Sequence, residues 1–221
     1  MASNPPELRW RNADESDDIH LCSEDEKELI IYGRQYTVGQ DYRYSETNGL
    51  IKNFEIGPKP DNRSRLVYRD QAILRYCAEA STLLSGMDGR VFSLVPIPTS
   101  FPREHPDHDD RLHRVALCIA TQFANIHYLP LLDARAPRMS LKNGGRRDVP
   151  SNEQHFVIDD RFTAQKSSGS LLIIDDVITS GSSFLAARNV LQRHVGADFD
   201  IFGLFWAKAV RASVIDDDLD R

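Results

Sequence analysis

The side chains best placed to do chemistry come after an apolar run of the sequence. Asp175 and Asp176 come directly after the four aliphatic residues 171–174, a run that predicts a strand buried on both faces of a parallel sheet. Ligands of such sheets bind beyond the carboxyl ends of the strands. Two adjacent carboxylates offer four acceptor oxygens there, which suits a vicinal diol such as the 2'- and 3'-hydroxyls of a ribose.

A hydroxyl-rich turn comes after the acidic pair and leads into a helix predicted from about residue 182 to residue 194. Gly181 keeps its backbone free of side-chain bulk, and the N-terminus of the helix favours an anion such as a phosphate. Helix capping alone explains one hydroxyl, but it does not explain the acidic pair and the spaced glycine. A diol clamp beside a phosphate cradle indicates a ribose 5-phosphate moiety. The cradle comprises Thr179, Ser180, Gly181, Ser182 and Ser183.

This segment resembles the signature of the type I phosphoribosyltransferases. The signature is an apolar strand, two acidic residues, two apolar residues and Thr-x-Gly-x-Thr/Ser, and residues 173–183 match it. A weaker resemblance, in the order of helices and strands, extends over residues 65–207. The resemblance implies binding of 5-phosphoribosyl 1-diphosphate (PRPP), with Asp175 and Asp176 as the catalytic pair on the ribose and residues 179–183 around the 5'-phosphate.

The reaction implied by this resemblance transfers the phosphoribosyl group to a nitrogen of a nucleobase or amine and releases diphosphate. Such a protein holds both reactants in line and stabilises the departing diphosphate with cations. The implied cofactor is Mg²⁺, held largely by oxygens of PRPP, with Asp175 or Asp176 contributing directly or through water.

A loop that grips the diphosphate is a second feature of the family. Residues 95–98 read Val-Pro-Ile-Pro and look like the competence-associated and amidotransferase-like branches. Hydroxyls, backbone N–H groups and arginines suit a diphosphate, and Arg111 and Arg114 lie further downstream. The predicted diphosphate loop comprises Thr99, Ser100 and Arg103.

The segment after this loop is long and acidic, unlike the short loop of the family. Its histidine and aspartate side chains could ligate a transition metal. Their spacing matches no specific metal site, and a solvated loop is the favoured interpretation. The residues concerned are His105, Asp107, His108, Asp109 and Asp110.

A flexible loop over the diphosphate is the third family feature, and residues 133–152 fit it by position. Closure of such a loop excludes water and strengthens each charge interaction. The cations expected to act there are Arg135, Arg138, Lys142, Arg146 and Arg147.

The acceptor is not identified by the sequence. Thr179 stands where 6-oxopurine salvage enzymes typically carry an aspartate, which argues against that class. Residues 175–181 are similar to orotate phosphoribosyltransferase, but residues 133–152 lack the Lys-Asp-His-Gly pattern of that family. Residues 29–57 sit where the family carries a variable hood, and their aromatic side chains could stack on a heterocycle or simply pack together. These are Tyr32, Tyr36, Tyr42, Tyr44 and Phe54.

The elements that must position these residues form an α/β fold, with a central, mostly parallel sheet flanked by helices. Helices are predicted from about residue 66 to 84 and over 112–123, and strands over 91–97, 129–132, 170–174 and 201–206. Asn48-Gly49 predicts a hairpin turn whose return strand carries Ile51 and Phe54. We therefore divide the chain into an acidic, mobile segment (1–28), a β-rich hood-like appendage (29–64), a phosphoribosyltransferase-like core (65–210) and an acidic tail (211–221).

Composition restricts the setting in which the protein works. The formal net charge of -6 argues against general nucleic-acid binding, and no apolar run approaches a membrane span. Three widely spaced cysteines without a CxxC pair predict free thiols in a reducing cytoplasm. The family is often dimeric, so the resemblance implies a homodimer, and a protein partner is the alternative.

Two hypotheses compete with the enzyme. A non-catalytic module could sense PRPP or a related nucleotide and signal to a protein partner, as the acidic ends, the unusual loop and the missing base-site pattern suggest. An interaction protein could have kept only the scaffold. Binding without turnover would distinguish the first of these from an enzyme, and absence of any ribose phosphate binding would indicate the second.

Overall fold

Strands and helices alternate along the chain in a computed structural model. It describes residues 8–14, 17, 19, 21–27, 29–87, 89–138, 148–163, 169–196 and 199–212. The strands are β1 (Arg11–Asn12), β2 (Ile30–Thr37), β3 (Phe92–Pro96), β4 (Ile126–Tyr128), β5 (Leu132–Ala134), β6 (Phe156–Ile158), β7 (Ser170–Ile178) and β8 (Ile201–Val210). The α-helices are α1 (Glu24–Lys27), α2 (Glu46–Phe54), α3 (Leu66–Ser85), α4 (Arg111–Ala120), α5 (Val149–His155) and α6 (Ser182–Val195). Short 3-10 helices cover Pro60–Arg65 and Asp160–Phe162.

The main sheet has six strands in the order β1-β2-β8-β7-β3-β4. Each strand pairs in parallel with its neighbour except the edge strand β1, which is antiparallel to β2. On the central strand β7, Ile173 lies opposite Val95 of β3 on one side and Gly203 of β8 on the other. The predicted α/β class with a mostly parallel central sheet is confirmed. Strands β5 and β6 form a separate antiparallel pair.

Helices cover both faces of this sheet. Leu171 and Ile173 of β7 belong to one hydrophobic core with α6, and Leu172 and Ile174 belong to a second core with α2, α3 and α4. This alternation confirms that β7 is buried on both faces, and the helices predicted near α3, α4 and α6 are also present. Within the described residues, no helix combines the length and the apolar character that crossing a membrane requires.

The predicted hairpin at Asn48-Gly49 is wrong, because these residues lie inside α2. The side chain of Ser45 caps this helix by accepting a hydrogen bond from the Asn48 N–H at 3.0 Å. The Asn48 amide is buried and bonds the backbone of Thr37 on β2, while Ile51 and Phe54 pack into the core. A polar residue that is typical of a turn here bridges a helix to a strand.

Residues 29–64 do not form a separate antiparallel appendage. Strand β2 pairs in parallel with β8 over Ile30–Thr37 and so belongs to the main sheet. The strand predicted at 129–132 is also displaced, since β4 at Ile126–Tyr128 pairs with β3 and β5 begins at Leu132. Continuous apolar runs locate a strand only to within a few residues.

Some residues in the described part of the segment 1–28 pack on the core. Asp17 is buried, accepts a hydrogen bond from the Tyr32 hydroxyl at 2.9 Å and forms an ion pair with the Lys208 ammonium at 2.6 Å. Ile19 is 1% exposed. A cation and a hydroxyl presented by β8 and β2 compensate the acidic charge, which composition alone does not reveal. Residues 213–221 of the acidic tail lie outside the described residues.

Two of the three cysteines form a disulfide, so the expectation of free thiols fails for them. Cys77 of α3 and Cys118 of α4 are joined, with their Cα atoms 6.2 Å apart. Cys22 is a buried free cysteine. Cysteine spacing gives no hint of this pairing, because the two residues meet only when α3 and α4 pack side by side. The cysteine argument for a reducing compartment therefore no longer holds.

Candidate functional site

A cavity of about 880 Å³ opens at the carboxyl ends of the central strands. Its walls combine the acidic pair of β7, the turn before α6, the loop after β3 and the start of α4. The predicted site residues that line it are Asp175, Asp176, Thr179, Ser180, Ser182, Ser183, Thr99, Ser100 and Arg138. Most of the site proposed from sequence is therefore gathered around one space.

The acidic pair lies on β7, and both residues line the cavity. The carboxylate of Asp175 accepts the Asp176 N–H at 2.9 Å, and that of Asp176 accepts the Val177 N–H at 2.8 Å. Burial and the neighbouring Asp176 carboxylate raise the pKa of Asp175 well above its usual value. Two carboxylates in one low-dielectric space repel each other, so a cation or a diol hydroxyl is favoured between them.

The turn 179–183 ends at the N-terminus of α6, as predicted. Gly181 adopts φ +81° and precedes the first helical residue, Ser182. The hydroxyls of Ser180 and Ser182 lie 3.3 Å apart at the cavity wall. The helix dipole at this position favours a phosphate.

Gly181 is needed for a reason that the sequence pattern does not reveal. A Cβ added to Gly181 would lie 2.7 Å from Cys22 Sγ and 2.8 Å from Ile19 Cγ2. The N-terminal segment therefore occupies the space that a side chain at position 181 would need. Gly181 itself does not line the cavity, and the Ser180 carbonyl accepts the Leu21 N–H at 3.3 Å. The glycine thus allows the N-terminal segment to pack behind the cradle, and the serines on either side of it line the cavity.

The predicted diphosphate loop is placed only in part as expected. Thr99 and Ser100 line the cavity, and the Ser100 carbonyl accepts the Arg138 N–H at 3.0 Å. Arg103 does not line the cavity: its guanidinium lies 2.8 Å from the Asp159 carboxylate and 2.8 Å from the Pro130 carbonyl. It holds the β5–β6 region together.

Of the flexible-loop cations, Arg138 lines the cavity and donates to the Asn152 side chain at 2.8 Å. Arg135 does not line it; its Nε donates to the Gln154 carbonyl at 3.0 Å on the surface. Residues 139–147 lie outside the described residues, and these include the predicted Lys142, Arg146 and Arg147.

Arg111 is a cavity residue that the predicted diphosphate loop did not include. It begins α4, and its guanidinium contacts Asp176 Oδ2 at 3.1 Å and Asp109 Oδ2 at 2.5 Å. Burial opposes its charge, but the carboxylates of Asp176 and Asp109 keep the pKa of Arg111 above its usual value. The signal available in the sequence was its position at the start of the helix that comes after β3. Arg114, one turn later, pairs with Asp70 on the surface at 2.8 Å.

The metal site considered for residues 105–110 is not supported. In the part of the chain that the structure describes, no group of three or more His, Cys, Asp or Glu side chains could hold a metal ion. His108 faces the Phe101 carbonyl at 3.1 Å, and His105 accepts the Asp107 N–H. Asp109 and Asp110 instead pair with Arg69, each at 2.6 Å.

The remaining wall comes from the hood-like region. Of its five aromatic candidates only Tyr36 lines the cavity, since Tyr32 and Phe54 are buried elsewhere and Tyr42 and Tyr44 are exposed. The charged residues of this wall are Lys52, Glu55 and Lys59. The Lys52 ammonium lies 5.4 Å from the centre of the Tyr36 ring and 4.0 Å from the Glu55 carboxylate.

Comparisons with known proteins identify no relative: no family model matches the chain, and a search of curated proteins finds no significant match. The resemblance to type I phosphoribosyltransferases therefore rests chiefly on residues 171–183. A functional argument for this chain depends on the geometry of its own cavity.

Proposed function

We propose that the cavity binds 5-phosphoribosyl 1-diphosphate and that the protein transfers its phosphoribosyl group to a nitrogen acceptor, releasing diphosphate. The observation that carries the proposal is the position of the acidic pair and the hydroxyl turn on one wall of a single cavity. Asp175, Asp176, Thr179 and Ser183 all line it, at the carboxyl end of β7 and the start of α6. A parallel sheet binds ligands at this edge.

The sugar of the ligand would face β7, and its 5'-phosphate would face the start of α6. The 5'-phosphate would lie against residues 179–183, where the N-terminus of α6 supplies a favourable dipole. The ribose hydroxyls would then donate to Asp175 and Asp176. This orientation directs C1 of the ribose away from α6 and into the cavity.

The diphosphate would face the loop after β3. Thr99 and Ser100 lie there with hydroxyls and backbone groups, and Arg111 and Arg138 bring two guanidinium groups to the same cavity. Guanidinium pairs with phosphate oxygens through parallel N–H donors. Stabilising the charge that develops on departing diphosphate is the main task of the protein in this reaction.

Mg²⁺ fits the residues present. Hard oxygen donors suit this ion, which is usually held by one or two carboxylates together with substrate phosphates. Asp175 and Asp176 offer carboxylates on the cavity wall, and PRPP supplies diphosphate and ribose oxygens. When bound, the ion would neutralise part of the diphosphate charge.

The acceptor would enter from the side of β2 and α2. In-line displacement requires the nucleophile and the leaving group on opposite sides of C1. Strand β3 and its loop lie on one side of β7, and β8 and β2 lie on the other. Tyr36, Lys52 and Glu55 therefore face the side from which a nitrogen acceptor would approach.

A non-catalytic sensor of PRPP or a related nucleotide is the second candidate. One arginine of the diphosphate side has its charge balanced by carboxylates, because Arg111 pairs with Asp109 and Asp176. Such balance is consistent with a protein that binds a ribose 5-phosphate moiety without turning it over. This candidate predicts binding and no diphosphate release with any nucleobase.

The test is the double variant Asp175→Asn with Asp176→Asn. Each lost charge-assisted hydrogen bond costs about 1.5–3 kcal/mol, so together they lower PRPP affinity at least about a hundredfold. Isothermal titration calorimetry with PRPP and Mg²⁺ measures this loss, and diphosphate release across a nucleobase and amine panel measures turnover.

The control is Asp61→Asn with Asp160→Asn, which removes the same charge from two exposed positions outside the cavity. It should leave affinity within about twofold of the wild-type value. Undiminished PRPP binding by the cavity variant contradicts the proposal, and so does a wild-type protein that binds no PRPP. Binding without turnover favours the sensor.

A further inference from the structure

Four charged side chains form a continuous chain of ion pairs from α3 to the acidic pair. Arg69, in the first turn of α3, lies 2.6 Å from Asp109, which lies 2.5 Å from Arg111, which lies 3.1 Å from Asp176. Their side chains are 5%, 13%, 18% and 12% exposed, respectively. Partly desolvated pairs with alternating charge are screened little by salt.

This chain of ion pairs fixes the direction in which Arg111 points. One terminal nitrogen donates to Asp109 and the other to Asp176, while the guanidinium lies 5.3 Å from the Phe54 ring centre. The Arg111 Nε is buried and finds no hydrogen-bond partner among the described residues. A planar guanidinium held at both ends keeps one rigid orientation in the cavity.

Asp109 competes with the acidic pair for Arg111. Asp109 is itself held by Arg69, which also pairs with Asp110 at 2.6 Å. Without Asp109, the Arg111 guanidinium would keep only its acidic partners on β7 and would turn fully towards them. It would then occupy the sugar clamp and leave the diphosphate side.

We propose that Asp109 and Arg69 are positioning residues that hold Arg111 on the diphosphate side of the cavity. This inference rests on the proposed function and names a role for the long acidic segment after β3. Asp109 belongs to that segment, and its carboxylate contacts both Arg69 and Arg111. The segment thus provides Arg111 with a carboxylate partner, Asp109, in addition to Asp176 of the acidic pair.

The measurement is the ratio of two affinities, for PRPP and for ribose 5-phosphate, in the presence of Mg²⁺. The two ligands share the sugar and the 5'-phosphate and differ in the diphosphate. Asp109→Asn should lower the affinity for PRPP about tenfold, which is about 1.4 kcal/mol, and leave that for ribose 5-phosphate within about twofold. Arg69→Gln removes the guanidinium nitrogen that contacts both Asp109 and Asp110, so it should shift the ratio in the same direction.

A double-mutant cycle separates positioning from general support of the fold. In an Arg111→Gln background the preference for PRPP is already reduced, and Asp109→Asn should have no further effect on the ratio. The matched control is Asp70→Asn with Arg114→Gln, an exposed ion pair that also joins α3 to α4. It should leave the ratio unchanged.

The outcomes distinguish this inference from the proposed function. A wild-type protein that binds neither ligand overturns both. If the wild-type protein binds PRPP but Asp109→Asn lowers both affinities equally, leaves them unchanged or raises the ratio, only the positioning role is overturned. Should Asp109→Asn fail to fold, as thermal melting would show, Arg69→Gln decides by the same ratio.

Discussion

The two sides of the cavity are built differently. The side proposed for the sugar and the 5'-phosphate comes from one continuous stretch, residues 175–183, at the end of a strand and the start of a helix. The side proposed for the diphosphate is assembled from the loop after β3, the start of α4 and Arg138. A site formed by one continuous stretch can be recognised from residue order. A site formed by separate segments cannot, because the fold decides which arginine faces the cavity.

Charge separates the two sides as well. The first side carries two adjacent carboxylates, and burial beside Asp176 raises the pKa of Asp175. On the second side, aspartates balance the guanidinium charge, as Asp109 and Asp176 do for Arg111. We therefore expect substitutions on the first side to alter binding of any ribose 5-phosphate, and those on the second to alter discrimination between ligands.

The largest effect expected in a test of this comparison is at Gly181. Gly181→Ala places a methyl group 2.7 Å from Cys22 Sγ at φ +81°, so backbone strain and overpacking add. We expect the free energy of unfolding to fall by about 3 kcal/mol, measured by urea denaturation. The control Gly89→Ala has a similar φ of +78° but nothing within 4 Å of the added methyl, and it should cost about 1 kcal/mol. Equal losses in the two variants would show that the N-terminal segment does not pack against the cradle.

Arg111 and Arg103 both come after β3, and substituting them tests whether Arg111 binds ligand while Arg103 only stabilises the fold. Arg111→Gln should lower PRPP affinity about tenfold by calorimetry. Arg103→Gln should leave that affinity unchanged and lower the free energy of unfolding by about 2 kcal/mol, because it removes a donor from Asp159 and from two carbonyls. A loss of PRPP affinity in Arg103→Gln would contradict the separation.

The smallest expected effect concerns the acid stability contributed by Asp159, which pairs with Arg103 outside the cavity. A hydrogen bond from Arg161, with a further contribution from the charge of Arg103, lowers the pKa of Asp159 below its usual value. A lowered pKa in the folded state stabilises the protein above the unfolded-state pKa, and that contribution is lost as pH falls through the folded-state value. The melting temperature of the wild-type protein should therefore fall more between about pH 6 and about pH 3 than that of Asp159→Asn. Asp160→Asn, at an exposed neighbour, should behave as the wild-type protein does.

Residue order alone determined the class of fold and one side of the site. The aliphatic run of β7, the acidic pair and the hydroxyl turn are local features, and a buried parallel strand leaves little freedom for the residues at its carboxyl end. Helical periodicity placed α3, α4 and α6 for the same reason. The positions of these strands, turns and helices could be predicted because each depends on residues that are close in the sequence, within one helical turn or at one end of a strand.

Tertiary structure decided everything that depends on distant partners. Asn48 lies in a helix, where its side-chain amide donates a hydrogen bond to the backbone carbonyl of Thr37. Asp17 is buried, where it pairs with the Lys208 ammonium and accepts a hydrogen bond from the Tyr32 hydroxyl. Arg111 faces the cavity while Arg103 faces Asp159, although both come after the same strand. Compensation of a charge or a polar group depends on contacts across the fold, and sequence spacing does not encode those contacts locally.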